Sequence, residues 1–117
     1  MASMIVDERD QQFVLFEMLD VEKICGHEKF ADFSRETFNM ILTEAQKIAE
    51  EEIHPTLVDS DRQGCRLVDG QVHVPDCFKR AYKLFCEGGW IGMSFCPDDG
   101  GQGLPESVKF AAIEWFY

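Results

Sequence analysis

The chain holds 117 residues, room for one domain with one modest core, since a chain of this size buries only about two-thirds of the surface it exposes when unfolded. Hydrophobic residues at 45% and charged residues at 28% exclude a disordered or fibrous chain. Lys and Arg number 11 against 22 Asp and Glu, and the resulting net charge of −11 repels phosphate backbones and anionic lipid heads, which excludes nucleic acid as a partner.

The pattern along the chain predicts an all-α domain of four helices with at most one small β-hairpin. The first helix is expected over Asp10 to Ile24, with Phe13, Phe16, Leu19 and Val21 apolar and Gly26 just beyond its end. Its apolar arc is wide, so more than one side needs covering. The second helix has an N-cap in Ser34 and a hydrophobic staple from Phe33 to Phe38. Phe38, Ile41, Leu42, Ala45, Ile48 and Ala49 then recur at helical steps, and Pro55 is expected to end the helix with His54 at the boundary. Glu50, Glu51 and Glu52 read as a solvated helix face.

From Cys65 to Val74, short apolar runs flank Asp69-Gly70, a pair that favours a type I′ turn, and the alternation points His73 at water. Pro75 fits the first position of a third helix, with Phe78, Ala81, Tyr82 and Phe85 as its stripe and Gly88 as its stop. A fourth helix is expected from Pro105, with Val108, Ala111, Ala112 and Trp115 repeating up to the last residue. The chain therefore reads as cut in mid-pattern. Trp115, Phe116 and Tyr117 are expected to pack against another chain or to fray.

Few residues signal chemistry by themselves. Cys25, Cys65, Cys77, Cys86 and Cys96 are odd in number and contain no C-x-x-C pair, so neither a metal site nor a disulfide framework is indicated, and unpaired thiols point to the cytoplasm. The N-terminus lacks the basic start and apolar run of a secretory leader, and no apolar stretch is long enough to span a membrane. Gly88-Gly89-Trp90-Ile91-Gly92 and Asp98-Asp99-Gly100-Gly101-Gln102-Gly103-Leu104-Pro105 invite a phosphate-loop reading. That fingerprint fails, because Glu106 stands where a third glycine belongs, no strand precedes the segment, and two aspartates adjoin it. Gly100, Gly101 and Gly103 are instead assigned to a structural turn motif. No histidine has a spacing that pairs it with a serine or cysteine nucleophile, and no carboxylate stands out as a base.

The specific residues carry more than their pattern. Gly88-Gly89-Trp90-Ile91-Gly92-Met93 followed by Pro97-Asp98-Asp99-Gly100-Gly101-Gln102-Gly103-Leu104-Pro105 resembles the G-W-x-G…P-x-x-x-G-G-x-G-L-P signature of acyl-CoA dehydrogenases, with one residue fewer between the proline and the glycine pair. The likeness extends backward through Glu44 to Glu50, Ile53-His54-Pro55 and Asp61 to Leu67, and through Pro75 to Tyr82. The segment Arg9 to Asp20 resembles the extra N-terminal helix of a longer branch of the family that includes methylmercaptopropionyl-CoA dehydrogenases.

This resemblance implies an N-terminal helical domain over residues 1–117, with residues 1–30 as its extension and with the middle β domain and C-terminal helical domain absent. The complete family enzyme uses FAD to oxidise acyl-CoA to 2,3-enoyl-CoA in fatty acid metabolism and passes electrons to an electron-transfer flavoprotein. Its flavin sits between the two later domains, and the C-terminal one commonly supplies the glutamate base. No residue here matches that glutamate or the flavin-binding segments, so no catalytic, cofactor or metal residue is assigned and no cofactor is expected for this chain alone. Phe95, Leu104 and Trp115 are candidates for the wall of the substrate cavity, with core packing as the competing role. The rival reading is a non-catalytic helical interaction module that self-associates, and in either case a homo-oligomer is expected. Continuation of the reading frame past Tyr117 would favour the enzyme, and a native stop codon the module.

Overall fold

The computed structural model describes residues 5–117, so the first four residues of the expected 1–30 extension lie outside the described residues. Five α-helical segments follow one another: α1 (Glu8–Gln12), α2 (Arg35–Ile48), α3 (Leu57–Gln63), α4 (Phe78–Glu87) and α5 (Glu106–Glu114). Two three-residue strands, β1 (Arg66–Val68) and β2 (Gln71–His73), form one antiparallel pair in which Leu67 faces Val72. The expected all-α architecture with a single small hairpin is what forms.

Local chemistry explains the best-predicted elements. The Ser34 side chain accepts the Thr37 backbone N–H at 3.2 Å, and Phe33 stacks on Phe38 with ring centroids 5.9 Å apart, so cap and staple both form. Asp69 and Gly70 have φ of 50° and 77°, the two positive values a type I′ turn requires, and His73 is exposed as its alternation indicated. α2 does not stop at Ile48. It loosens into a π turn over Ala49–Ile53 and a 3₁₀ turn over His54–Thr56 that contains Pro55, and it resumes as α3, which the sequence pattern did not reveal.

Two other expectations are corrected. The continuous helix from Asp10 to Ile24 is broken: α1 widens into a π turn at Phe13–Met18, closed by the Leu19 N–H on the Val14 carbonyl at 3.0 Å, and Asp20 then turns left-handed at φ 50° before a 3₁₀ segment over Val21–Gly26. Asp tolerates that conformation better than the apolar residues around it, so the break falls there. Pro75 does not open α4. It is buried ahead of the helix, where its carbonyl accepts the Phe78 N–H at 3.1 Å, and α4 begins at Phe78.

The core is a single layer. α2 buries Phe38, Leu42 and Ala45, and the following turn buries Ala49; α5 buries Val108, Ala111 and Ala112 and packs directly on α2. Small alanines on both faces let the two helices approach closely, and Leu15, Phe16, Trp90, Met93, Leu104 and Trp115 fill the remaining space. α3 and the hairpin place no residue in this core. The molecule measures 53 × 39 × 16 Å with a radius of gyration of 16.7 Å, against ~13 Å for a compact chain of this length. Its accessible surface of 8282 Å² exceeds the ~6,500 Å² expected of a globular monomer of 13.4 kDa. A plate one helical layer thick leaves apolar side chains with nothing opposite them.

α5 ends at Glu114, and Trp115 turns inward to 2% exposure. Phe116 packs edge-on against both Phe85 and Trp90, each with centroids 5.1 Å apart. The expectation that the terminal aromatics await another chain is thus corrected for these two, because α1, α4 and the loop after it already cover them. Tyr117 is fully exposed.

Candidate functional site

The segment 88–105, which carries the densest glycine signal, folds back on itself. The N–H groups of Gly100, Gly101, Gly103 and Leu104 donate to the carbonyls of Pro97, Cys96, Phe95 and Met93 at 2.9–3.0 Å. Gly100 and Gly103 have φ of 84° and 67°, and a Cβ on Gly101 would collide with the Phe95 backbone carbonyl. A Cβ on Gly88 would fall 2.5 Å from the Trp90 indole nitrogen, so this glycine makes room for the tryptophan. The amides of Gly100, Gly101, Gly103 and Leu104 are thus spent within the segment, and Asp98 and Asp99 adjoin it, the arrangement of a structural turn. Beside it, the Ser94 hydroxyl and the Lys109 ammonium hold the Glu106 carboxyl below the usual carboxylate range.

The candidate cavity-wall residues occupy three different settings. Phe95 is 55% exposed and lies over Gly92. Leu104 is buried at the edge of a shallow cleft of about 360 Å³ between α2 and the turn, with Met40, Ile41, Trp90 and Met93 beside it. Trp115 is internal. Trp90 is also buried, and its Nε1 has no hydrogen-bond partner among the described residues; it lies against Gly88 rather than against an open space.

On the far side of α4, the Arg80 guanidinium grips both oxygens of Glu52 at 2.7 and 2.9 Å and draws that carboxyl below its ordinary range. The pair bridges α4 to the turn after α2. The other carboxylates of the run at 50–52 face solvent or lie at the surface, as expected of a solvated helix face. Among the described residues no three His, Cys, Asp or Glu side chains are placed to hold a metal ion, and no helix is long and apolar enough to cross a membrane.

Sequence reasoning passed over Gln11. It is the one buried polar side chain of the described residues, 7% exposed. Its amide nitrogen donates to the Ala111 carbonyl and to the Glu114 carboxylate, both at 2.8 Å, while its oxygen accepts the Trp115 indole N–H at 3.1 Å. One side chain thereby satisfies the end of α5 from α1, and the inward turn of Trp115 depends on it. No local signal could have found it, since a glutamine in a helix reads as solvent-facing until its partners 100 residues away are known.

No family model matches the chain. The chain is 33% identical over 109 residues to the broad-specificity linear acyl-CoA dehydrogenase FadE5 of Mycobacterium tuberculosis, covering 91% of this chain and 18% of that protein. It is 29% identical over 106 residues to the 3-methylmercaptopropionyl-CoA dehydrogenase of Ruegeria pomeroyi, again across 91% of this chain and 18% of the relative. A butyryl-CoA dehydrogenase of Syntrophomonas wolfei is 29% identical over 109 residues, with 90% and 18% covered. The chain spans about 18% of the length of the curated relatives it matches, and the matched part is their N-terminal region.

Proposed function

Because this chain belongs to the acyl-CoA dehydrogenase family as a relative of its N-terminal helical region, we propose that it forms the N-terminal wall of a cytoplasmic FAD-dependent enzyme that oxidises acyl-CoA to 2,3-enoyl-CoA. The observation that carries this reading is a match over nine-tenths of the chain to three dehydrogenases of differing acyl preference, all within the same terminal region. In that role the chain supplies packing surface, with Phe95, Leu104 and Trp115 as the proposed contributors nearest the acyl group. It supplies neither base nor flavin contact. FAD, the acyl-CoA, the electron-transfer flavoprotein and a homo-oligomeric state belong to the complete enzyme.

The turn formed by Gly100, Gly101 and Gly103 supports the division of labour, since all three glycine amides are bonded within the segment rather than presented to a flavin pyrophosphate. Holding base and flavin on the reacting carbons can be worth roughly 7 to 11 kcal/mol of barrier, and a wall that carries neither group cannot supply it. The purified 117-residue chain, given excess FAD and several acyl-CoAs, is expected to retain no flavin absorbance and to reduce no dye. Stoichiometric yellow protein with turnover would overturn the reading. A second reading, the self-associating helical module, is favoured by the large accessible surface of the plate.

A further inference from the structure

α1 and α5 enclose a groove of about 410 Å³ on the side of their seam away from α2. Its floor is Val6, Val14, Leu15 and Ala111, and its walls are Leu19 and Phe110, which are 56% and 63% exposed. The charged residues lining it are all acidic: Asp7, Asp10 and Glu114. The two neighbouring cations are engaged elsewhere, Arg9 with Glu17 at 2.7 Å and Lys109 with Glu106 at 2.9 Å. The Asp10 carboxylate has no hydrogen bond or ion pair among the described residues. Asp7 accepts the Asp10 backbone N–H at 3.1 Å and Glu114 accepts the Gln11 amide at 2.8 Å, but neither forms an ion pair among the described residues, so the trough keeps an acidic rim, the complement of a helix that is apolar on one face and flanked by Lys or Arg.

We propose that this groove receives a basic amphipathic helix of another protein, its apolar side chains seated on Val14, Leu19 and Phe110 and its cations set against Asp7, Asp10 and Glu114. The inference does not rest on the dehydrogenase reading. A second copy of this chain is the weaker occupant. Its one basic amphipathic helix is α4, whose Lys79, Arg80 and Lys83 are already paired with Asp76, Glu52 and Glu87 of their own chain at 2.6, 2.7 and 3.7 Å. Two chains of net charge −11 also repel each other.

The test uses two fluorescein-labelled helical peptides that share one leucine face and differ only in lysine or glutamate flanks, titrated with the full chain and followed by anisotropy. The lysine peptide is expected to bind at least about tenfold more tightly, with affinity falling as salt is raised. Phe110→Ser removes an exposed wall and Asp10→Lys reverses an exposed rim charge, so both leave the core intact. Each is expected to weaken the lysine peptide about tenfold or more while the circular dichroism and thermal melt stay unchanged. Should Phe110→Ser disturb the fold, Asp10→Lys still decides the matter. Equal binding of the two peptides, no binding of either, or indifference to both substitutions would overturn the proposal. So would a concentration-dependent oligomer in sedimentation that Phe110→Ser abolishes, because that outcome gives the groove to a second copy.

Discussion

The plate built from α1, α2, α5 and the 88–105 turn and the arm built from α3 and the hairpin are both rich in apolar residues, yet only the plate buries them. Phe38, Val108 and Ala112 are fully buried, whereas Leu57, Val58, Leu67 and Val72 are 56–73% exposed. The difference lies in what each stripe meets. α2 and α5 present alanine-bearing faces to each other, so their large side chains interlock at close range. The hairpin has no second layer on either face, and two short strands seldom stabilise themselves in water. Apolar content sets what a segment can bury; the presence of a facing surface decides whether it does.

The sharpest way to break this comparison is to truncate a side chain at the centre of the plate. Phe38→Ala is expected to cost about 3–5 kcal/mol, because Phe38 is completely enclosed and the cavity cannot collapse between two packed helices. Urea denaturation with an unchanged slope is the measurement, and a loss below about 1 kcal/mol would mean that the plate is looser than its burial indicates.

A smaller effect separates polar from apolar cohesion within the plate. Gln11→Leu keeps the volume roughly constant but strands the Trp115 indole N–H, which should cost about 1–3 kcal/mol. The same melt read by tryptophan fluorescence should show Trp115 moving to a wetter environment. An unshifted emission maximum with full stability would count against Gln11 as the tie between α1 and α5.

The arm should respond least. Leu67→Ser, on the exposed hairpin, is expected to change stability by no more than about 0.5 kcal/mol. A loss comparable to that of Gln11→Leu would show that the arm is covered in solution, and the contrast between the two regions would have to be redrawn.

These regions were also unequally legible in the sequence. Features with a local cause could be read: Ser34 with Phe33 and Phe38, Asp69-Gly70, and the Val108, Ala111, Ala112 and Trp115 stripe each need only neighbours within a few residues. The break at Asp20 could not, because its surroundings keep a helical pattern while the backbone turns left-handed. Trp115 looks uncovered in the sequence for the converse reason. Its cover comes from the other end of the chain, a relation that no short window contains. The candidate cavity residues Phe95, Leu104 and Trp115 are alike in apolarity yet stand in three settings, one facing out, one buried at the edge of a cleft and one internal, and a short window of sequence does not distinguish them.

The bond between Gln11 and Trp115 joins residues 104 positions apart, and this separation has a consequence in time. A ribosome adding roughly 5–20 residues per second needs about 5–20 s to make the intervening stretch. Throughout that interval α1 has emerged without the helix that covers it, and Leu15 and Phe16 lack part of their burial. The plate can close only when α5 arrives, so the apolar side chains at the N-terminal end wait without that partner for most of the time the chain takes to be made.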